Sequence, residues 1–110
     1  MNNETILYFS DDDIGTGTGT GAYKASRFMG LDQTGATAAT FYFKNQDFEA
    51  AEENTVAVTF SGSFVDLARG VAGVINSKKA FVTMADSTNS IYFSYNGGTL
   101  SGDPVLVQTA

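Results

Sequence analysis

Thr55-Val-Ala-Val-Thr-Phe60, Phe64-Val-Asp-Leu-Ala-Arg-Gly-Val-Ala-Gly-Val-Ile75 and Phe81-Val-Thr-Met-Ala85 follow one another with short connections, and the architecture of the chain is set by how they are read. The first piece alternates: Val56, Val58 and Phe60 point one way, Ala57 and Thr59 the other. That is the period of a strand with one buried face. The second piece changes period. Phe64, Leu67, Ala68, Val71, Val74 and Ile75 recur at helical spacing as one apolar stripe, which predicts a helix over Phe64–Ser77. Ser63 stands at the N-cap and Asp66 three residues on, in the capping-box position, where its charge also suits the helix dipole. Lys78 and Lys79 stand at the other end, where positive charge is favoured. Such a short helix does not persist alone in water, so its stripe must dock on a sheet. The third piece reads as a strand apolar on both faces. Strand, helix, strand in this order reads as a crossover that places the two strands parallel.

Outward from this unit, Ala38–Lys44 sets Phe41 and Phe43 against Thr40, Tyr42 and Lys44 and predicts a strand that pairs with Thr55–Phe60 as a hairpin. The hairpin loop, Asn45–Asn54, is acidic (Asp47, Glu49, Glu52, Glu53), with Phe48 and two alanines to anchor a helical turn. Thr5–Ser10 holds the apolar run Ile6 to Phe9 and predicts a first strand. Residues 11–21, rich in Asp and alternating Gly-Thr, predict a loop. Ser26–Leu31 predicts a second short strand. Asp86–Ser90 has the composition of a turn, and Ile91–Tyr95 is the return strand with Ile91, Phe93 and Tyr95 on one face. After Pro104, Val105-Leu-Val107 is a last strand, or part of an arm over 104–110 that reaches a neighbouring subunit. The expected fold is α+β: one domain over 1–110, with an antiparallel or mixed β-sheet of about six short strands and one packed α-helix.

The 110 residues are 43% hydrophobic and 13% aromatic, enough for one real core, with nine Phe and five Tyr supplying the bulk. The net charge is −6, and the six basic residues stand singly apart from Lys78-Lys79. Phosphate neutralisation needs clustered Lys and Arg, so neither nucleic acid nor an anionic membrane is an expected partner. No Cys and no His are present, which removes disulfides, thiolate metal sites and the commonest general base and zinc ligand. The opening residues have no basic region ahead of Ile6–Phe9, so no signal peptide is expected, and synthesis in a cytoplasm is.

Three stretches invite a chemical reading. Gly15, Gly17, Gly19 and Gly21 recur every second residue, which fails the strict dinucleotide fingerprint; Gly17, Gly19 and Ala22 fit only a looser form with no helix behind it. Asp11-Asp12-Asp13 offers oxygens to a hard cation, but three consecutive carboxylates on an extended chain do not converge, and a solvated acidic loop is the plainer reading. The carboxylates of 45–54 lie in the most polar segment, where no apolar pocket raises a pKa for glycosidase-type acid catalysis. No catalytic residue, metal site or cofactor is therefore expected, and the chain is read as non-enzymatic.

The apolar surface carries more weight. Tyr42, Tyr92 and Tyr95 sit on strands beside Phe, several strands are apolar on both faces, and one helix is available as cover, so either a second sheet layer completes an ordinary two-layer core or another chain covers the rest. Gly73 falls opposite the helix stripe and Gly70 on its flank, each at about 1 kcal/mol relative to Ala, a sacrifice that close approach of another backbone explains as well as simple tolerance does. Tyr42, Tyr92, Tyr95, Gly70, Gly73, Val105, Leu106 and Val107 are the candidate interface residues. Ile6-Leu-Tyr-Phe9, Thr55–Phe60, the helix ending Val71-Ala-Gly-Val-Ile-Asn76, and Phe81–Asp86 with Ile91-Tyr-Phe93 together resemble small virion proteins of marine tailed bacteriophages. The resemblance implies a capsid decoration or cement protein, or another head or neck component, and the expected protein is one on the virion exterior, self-associated as a dimer or trimer and bound to the major capsid protein. The Gly-Thr loop is not part of that pattern. The competing reading is a soluble carbohydrate-type binding module with tyrosines as stacking platforms.

Overall fold

The computed structural model describes residues 5–11, 19–44, 53–77 and 79–107. Along the chain lie β1 (Ile6–Asp11), β2 (Gly19–Lys24), a 3-10 turn (Ala25–Arg27), β3 (Phe28–Gly35), β4 (Ala38–Lys44), β5 (Glu53–Phe60), α1 (Phe64–Ile75), β6 (Phe81–Asp86), β7 (Ile91–Tyr92), β8 (Ser94–Tyr95) and β9 (Gly98–Val107). The α+β class holds, but the described strands number nine in two sheets, not about six in one. The first sheet runs β2-β1-β6-β7 and the second β3-β4-β5-β9-β8.

The expected hairpin is present: β4 and β5 pair antiparallel from Ala38↔Thr59 to Lys44↔Glu53. The expected crossover is corrected. β5 is flanked by β4 and β9, so neither of its edges is open to β6. The helix instead delivers β6 to the other sheet, where it runs parallel to β1 from Ile6↔Phe81 to Ser10↔Asp86. β2, whose first residues Gly19–Gly21 fell within the expected loop, pairs antiparallel with β1 over Gly19–Lys24, and the expected strand Ser26–Leu31 is divided between the 3-10 turn and the start of β3. Gly21 is needed there: a Cβ would lie 2.6 Å from the Tyr23 hydroxyl and 2.8 Å from Leu106. The rest of the Gly-Thr loop, Asp12, Asp13 and the acidic residues 45–52 lie outside the described residues.

A second correction concerns Ile91–Tyr95. This segment changes sheets at Phe93, whose N–H donates to the Met84 carbonyl (2.9 Å) in the first sheet while its carbonyl accepts from Leu100 N (3.0 Å) in the second. Switching partners rotates the chain, so Ile91 is 52% exposed while Phe93 and Tyr95 pack against the core. Likewise 105–107 is not a detached arm: Val105, Leu106 and Val107 pair with Ala57, Val56 and Thr55. A bulge at Gly102-Asp103, with Gly102 at φ +70°, sets buried Pro104 beside it, where a residue without an N–H is tolerated.

The inward faces meet in one aromatic core. Phe9 of β1 lies 5.2 Å from Phe41 and 6.1 Å from both Phe43 and Tyr23, and Tyr23 stacks on Phe43 at 4.4 Å. α1 buries Leu67, Val71 and Val74 in the same cluster, and Phe64 meets Phe60 edge-on at 6.2 Å. The N-cap is as read, with Ser63 Oγ accepting from Asp66 N at 3.2 Å. The helix stops at Ile75, two residues short of Ser77, whose hydroxyl turns back onto the Val74 carbonyl at 2.7 Å.

Phe9→Ala removes the ring shared by both sheets and is expected to lower stability by about 3–5 kcal/mol in chemical denaturation, whereas Ile91→Ser, on an exposed position, stays within about 0.5 kcal/mol.

Candidate interaction site

In an antiparallel pair, opposed residues share a face. β4 and β5 therefore put Thr40 with Ala57 and Tyr42 with Thr55, and β5 and β9 put Ala57 with Val105 and Thr55 with Val107, all on the side away from the core. Val105 is 44% exposed and Val107 51%, while Tyr42, Thr40, Thr55 and Ala57 are half-buried by their neighbours alone. Among the described residues, charge on this face is marginal: Asp32 on the edge strand β3, and Lys44 paired in register with Glu53 at the ends of β4 and β5. The result is a face of threonine, alanine and valine, uncharged at its centre, with Tyr42 beside Met29 and Asp32 at a shallow depression along β3 and no other described element packed on it.

The predicted interface residues thus divide. Tyr42, Val105 and Val107 share this outer face, but Leu106, between them in sequence, points inward and is 6% exposed. Alternation within Val105-Leu-Val107 carried that signal.

Gly70, Gly73 and Tyr95 come together elsewhere, on a groove of about 620 Å³ between α1 and the strands β6 and β8, with Arg69 and Lys79 also lining it. At Gly70 the helix nearly touches β8: a Cβ there would sit 2.6 Å from the Tyr95 Cβ and 3.2 Å from the Phe93 ring. At Gly73 nothing lies within 4 Å of the same position. Of the two readings of these glycines, close approach applies at Gly70, where side chains of this chain rather than another backbone make it, and the space at Gly73 is open. Tyr95 is held by its hydroxyl, which donates to the Ser61 carbonyl at 2.6 Å. Burial raises its pKa, with Asp66 pushing the same way.

Tyr92 stands apart from both surfaces. The parallel pairing of β1 with β6 brings Asp11 and Asp86 to neighbouring strand ends, and both are 5% exposed. The Ser87 hydroxyl donates to Asp11 Oδ1 at 3.3 Å, and Asp86 accepts from Asn89 N at 3.2 Å and Asn89 Nδ2 at 2.9 Å. Burial raises the Tyr92 pKa, and the charges of Asp103, Asp86 and Asp11 raise it further. No group of three or more acidic side chains among the described residues is placed to hold a metal ion.

The sequence reading missed one exposed aromatic contact. Phe81, 55% exposed, lies 5.4 Å from Tyr8 on the outer face of the first sheet. The alternation of Phe81 and Thr83 against Val82 and Met84 marks that face. Comparison with known proteins finds no matching family model, no matching curated protein and no matching solved structure.

Gly70→Ala is expected to destabilise the fold although alanine is the better helix former, while Gly73→Ala raises stability by about 0.5–1 kcal/mol; thermal or urea unfolding of the pair checks the contrast. In alkaline titration followed at 295 nm, Tyr92 ionises above the ordinary tyrosine value of about 10. Because the folded pKa is the higher one, its contribution to stability is complete below that pH and is lost as pH rises through the folded value. Tyr92→Phe should delete one late-titrating phenol and flatten the alkaline fall in stability.

Proposed function

We propose that this chain is a non-enzymatic structural protein that acts through protein–protein contacts, self-associating through the outer face of β4, β5 and β9 and decorating or cementing a phage capsid. One observation carries the reading: that face exposes Val105 and Val107, is uncharged at its centre and is covered by no described element, on a chain of net charge −6. Two copies that meet there bring no like charges together at the centre, and a twofold contact uses the same patch on both partners. Burying Val105, Val107 and Tyr42 supplies the hydrophobic gain, and the threonines pack as small, β-compatible side chains. The virion assignment rests on the sequence resemblance. A dimer or trimer of such a domain bridges adjacent capsomers with no chemistry beyond complementary surfaces. The tyrosines named for a carbohydrate platform, Tyr42, Tyr92 and Tyr95, lie on three different parts of the molecule and form no common platform, while the outer pair Tyr8 and Phe81 is the one surface on which the carbohydrate reading would rest.

Sedimentation velocity tests the self-association. Wild-type protein is expected to form a dimer or trimer, and the Val105→Lys/Val107→Lys variant to sediment as a folded monomer with unchanged circular dichroism. In cosedimentation with heads of the encoding phage lacking this protein, the wild type binds and the variant does not. A wild-type monomer that ignores the heads contradicts the reading.

A further inference from the structure

The groove beside α1 lies where the strands part company. β6 meets β7 at Ala85↔Tyr92 and Asp86↔Ile91, with one further bond from Phe93 N to Met84 O, and from there down no described strand lies beside Phe81–Thr83 on that side. β8, past Phe93, turns to pair with β9 instead. The two strands diverge like a fork. Between the prongs, α1 contributes Gly73 and Val74, with Asp66 and Arg69 from its earlier turns at the rim.

β8 is a sheet edge with its bonding groups aimed at this space. The loop Asn96-Gly97 joins β8 to β9 with Tyr95↔Gly98 as the flanking pair and Ser94↔Thr99 next. In a two-residue hairpin the flanking pair exchanges hydrogen bonds, so the next pair turns its peptide N–H and C=O outward. For Ser94, outward is the groove, which it lines. No described strand pairs with β8 on that side. An extended chain laid there gains main-chain bonds from β8 and side-chain room over Gly73, the mode of recognition by strand addition.

Charge selects the occupant. Arg69 and Lys79 line the groove, and neither is ion-paired among the described residues, on a chain with only six basic residues and a net charge of −6. Asp66 also lines it, but at the end where the helix begins, its carboxylate packed against Gly97. We infer that this groove binds an extended, acidic segment of a partner protein, which adds a short strand beside β8, sets an apolar side chain over Gly73 and places carboxylates at Arg69 and Lys79. This rests on the reading of the chain as a protein-binding module and assigns it a second contact site, separate from the face of β4, β5 and β9. The volume of about 620 Å³ suits a few residues in extended form, within the usual range of ligand pockets.

The test uses the full chain, isotope-labelled, titrated with the blocked peptide acetyl-Asp-Val-Asp-Val-Asp-amide and with its lysine counterpart. The acidic peptide is expected to shift the amide signals of Gly73, Ser94 and Tyr95 and to weaken with added salt, while the lysine peptide leaves them unmoved. Gly73→Leu fills the groove where space is open, so it should keep or raise the thermal midpoint and reduce affinity at least tenfold; Arg69→Glu should reduce it severalfold. Equal binding of both peptides, shifts located elsewhere, no binding of the acidic peptide, or full affinity in Gly73→Leu overturns the inference. Cosedimentation with phage heads keeps the two proposals apart. Heads that bind wild type and Gly73→Leu equally sink the groove alone as a capsid contact, whereas heads that bind neither sink the capsid reading and leave the peptide titration to decide the groove.

Discussion

Phe9 stands where the two sheets meet, and the arrangement of everything else follows from that contact. It belongs to β1 of the first sheet, yet its ring lies 5.2 Å from Phe41 of the second, with Phe43 and Tyr23 both at 6.1 Å. Edge-on and tilted packing of this kind adds about 0.5–1.5 kcal/mol per pair beyond the area buried. Because the inward faces of both sheets and the stripe of α1 are spent on this one core, no second layer is left for the outer face of the five-stranded sheet. The apolar residues that remain outside it, Val105 and Val107 above all, are a consequence of how the core is filled.

The junction at Phe93 is the second constraint. One residue bonds to both sheets, and below it β6 and β8 diverge. That divergence opens the groove that α1 floors with glycine. The two outward features therefore differ in kind: a face uncharged at its centre, proposed to meet a copy of itself, and a cleft whose Arg69 and Lys79 form no ion pair among the described residues, proposed to meet an acidic chain. Under the proposed function they divide self-association from partner capture.

Local periodicity carried the reading of the parts that depend on local interactions. Ser63 and Asp66 marked the start of the helix, and the alternation of Val56, Val58 and Phe60 against Phe41 and Phe43 gave the hairpin and its inward face. Pairing over long distance is not written in periodicity. Nothing within Phe81–Ala85 tells whether its parallel partner is β5 or β1, and the choice is made by β9 occupying the free edge of β5. The rotation at Phe93 is equally silent, since Ile91-Tyr-Phe-Ser-Tyr95 alternates as well in one straight strand as in two short ones. For the candidate site, Tyr42, Val105 and Val107 were legible as strand residues with an outward phase, whereas the joining of Gly70, Gly73 and Tyr95 in one groove required the tertiary fold. Gly70 and Gly73 look alike in sequence, and only packing separates the crowded one from the open one.

The central claim is that another protein chain covers the outer face of β4, β5 and β9 when the protein is at work. Methyl relaxation in the presence of a soluble gadolinium probe reads this directly. The methyl groups of Val105 and Val107 are expected to be shielded from the probe in concentrated solution and to become accessible on dilution, while Val65, exposed on the helix, is accessible throughout. Val105 and Val107 methyls as open to the probe as Val65 at every concentration, and still open once heads are bound, would contradict it.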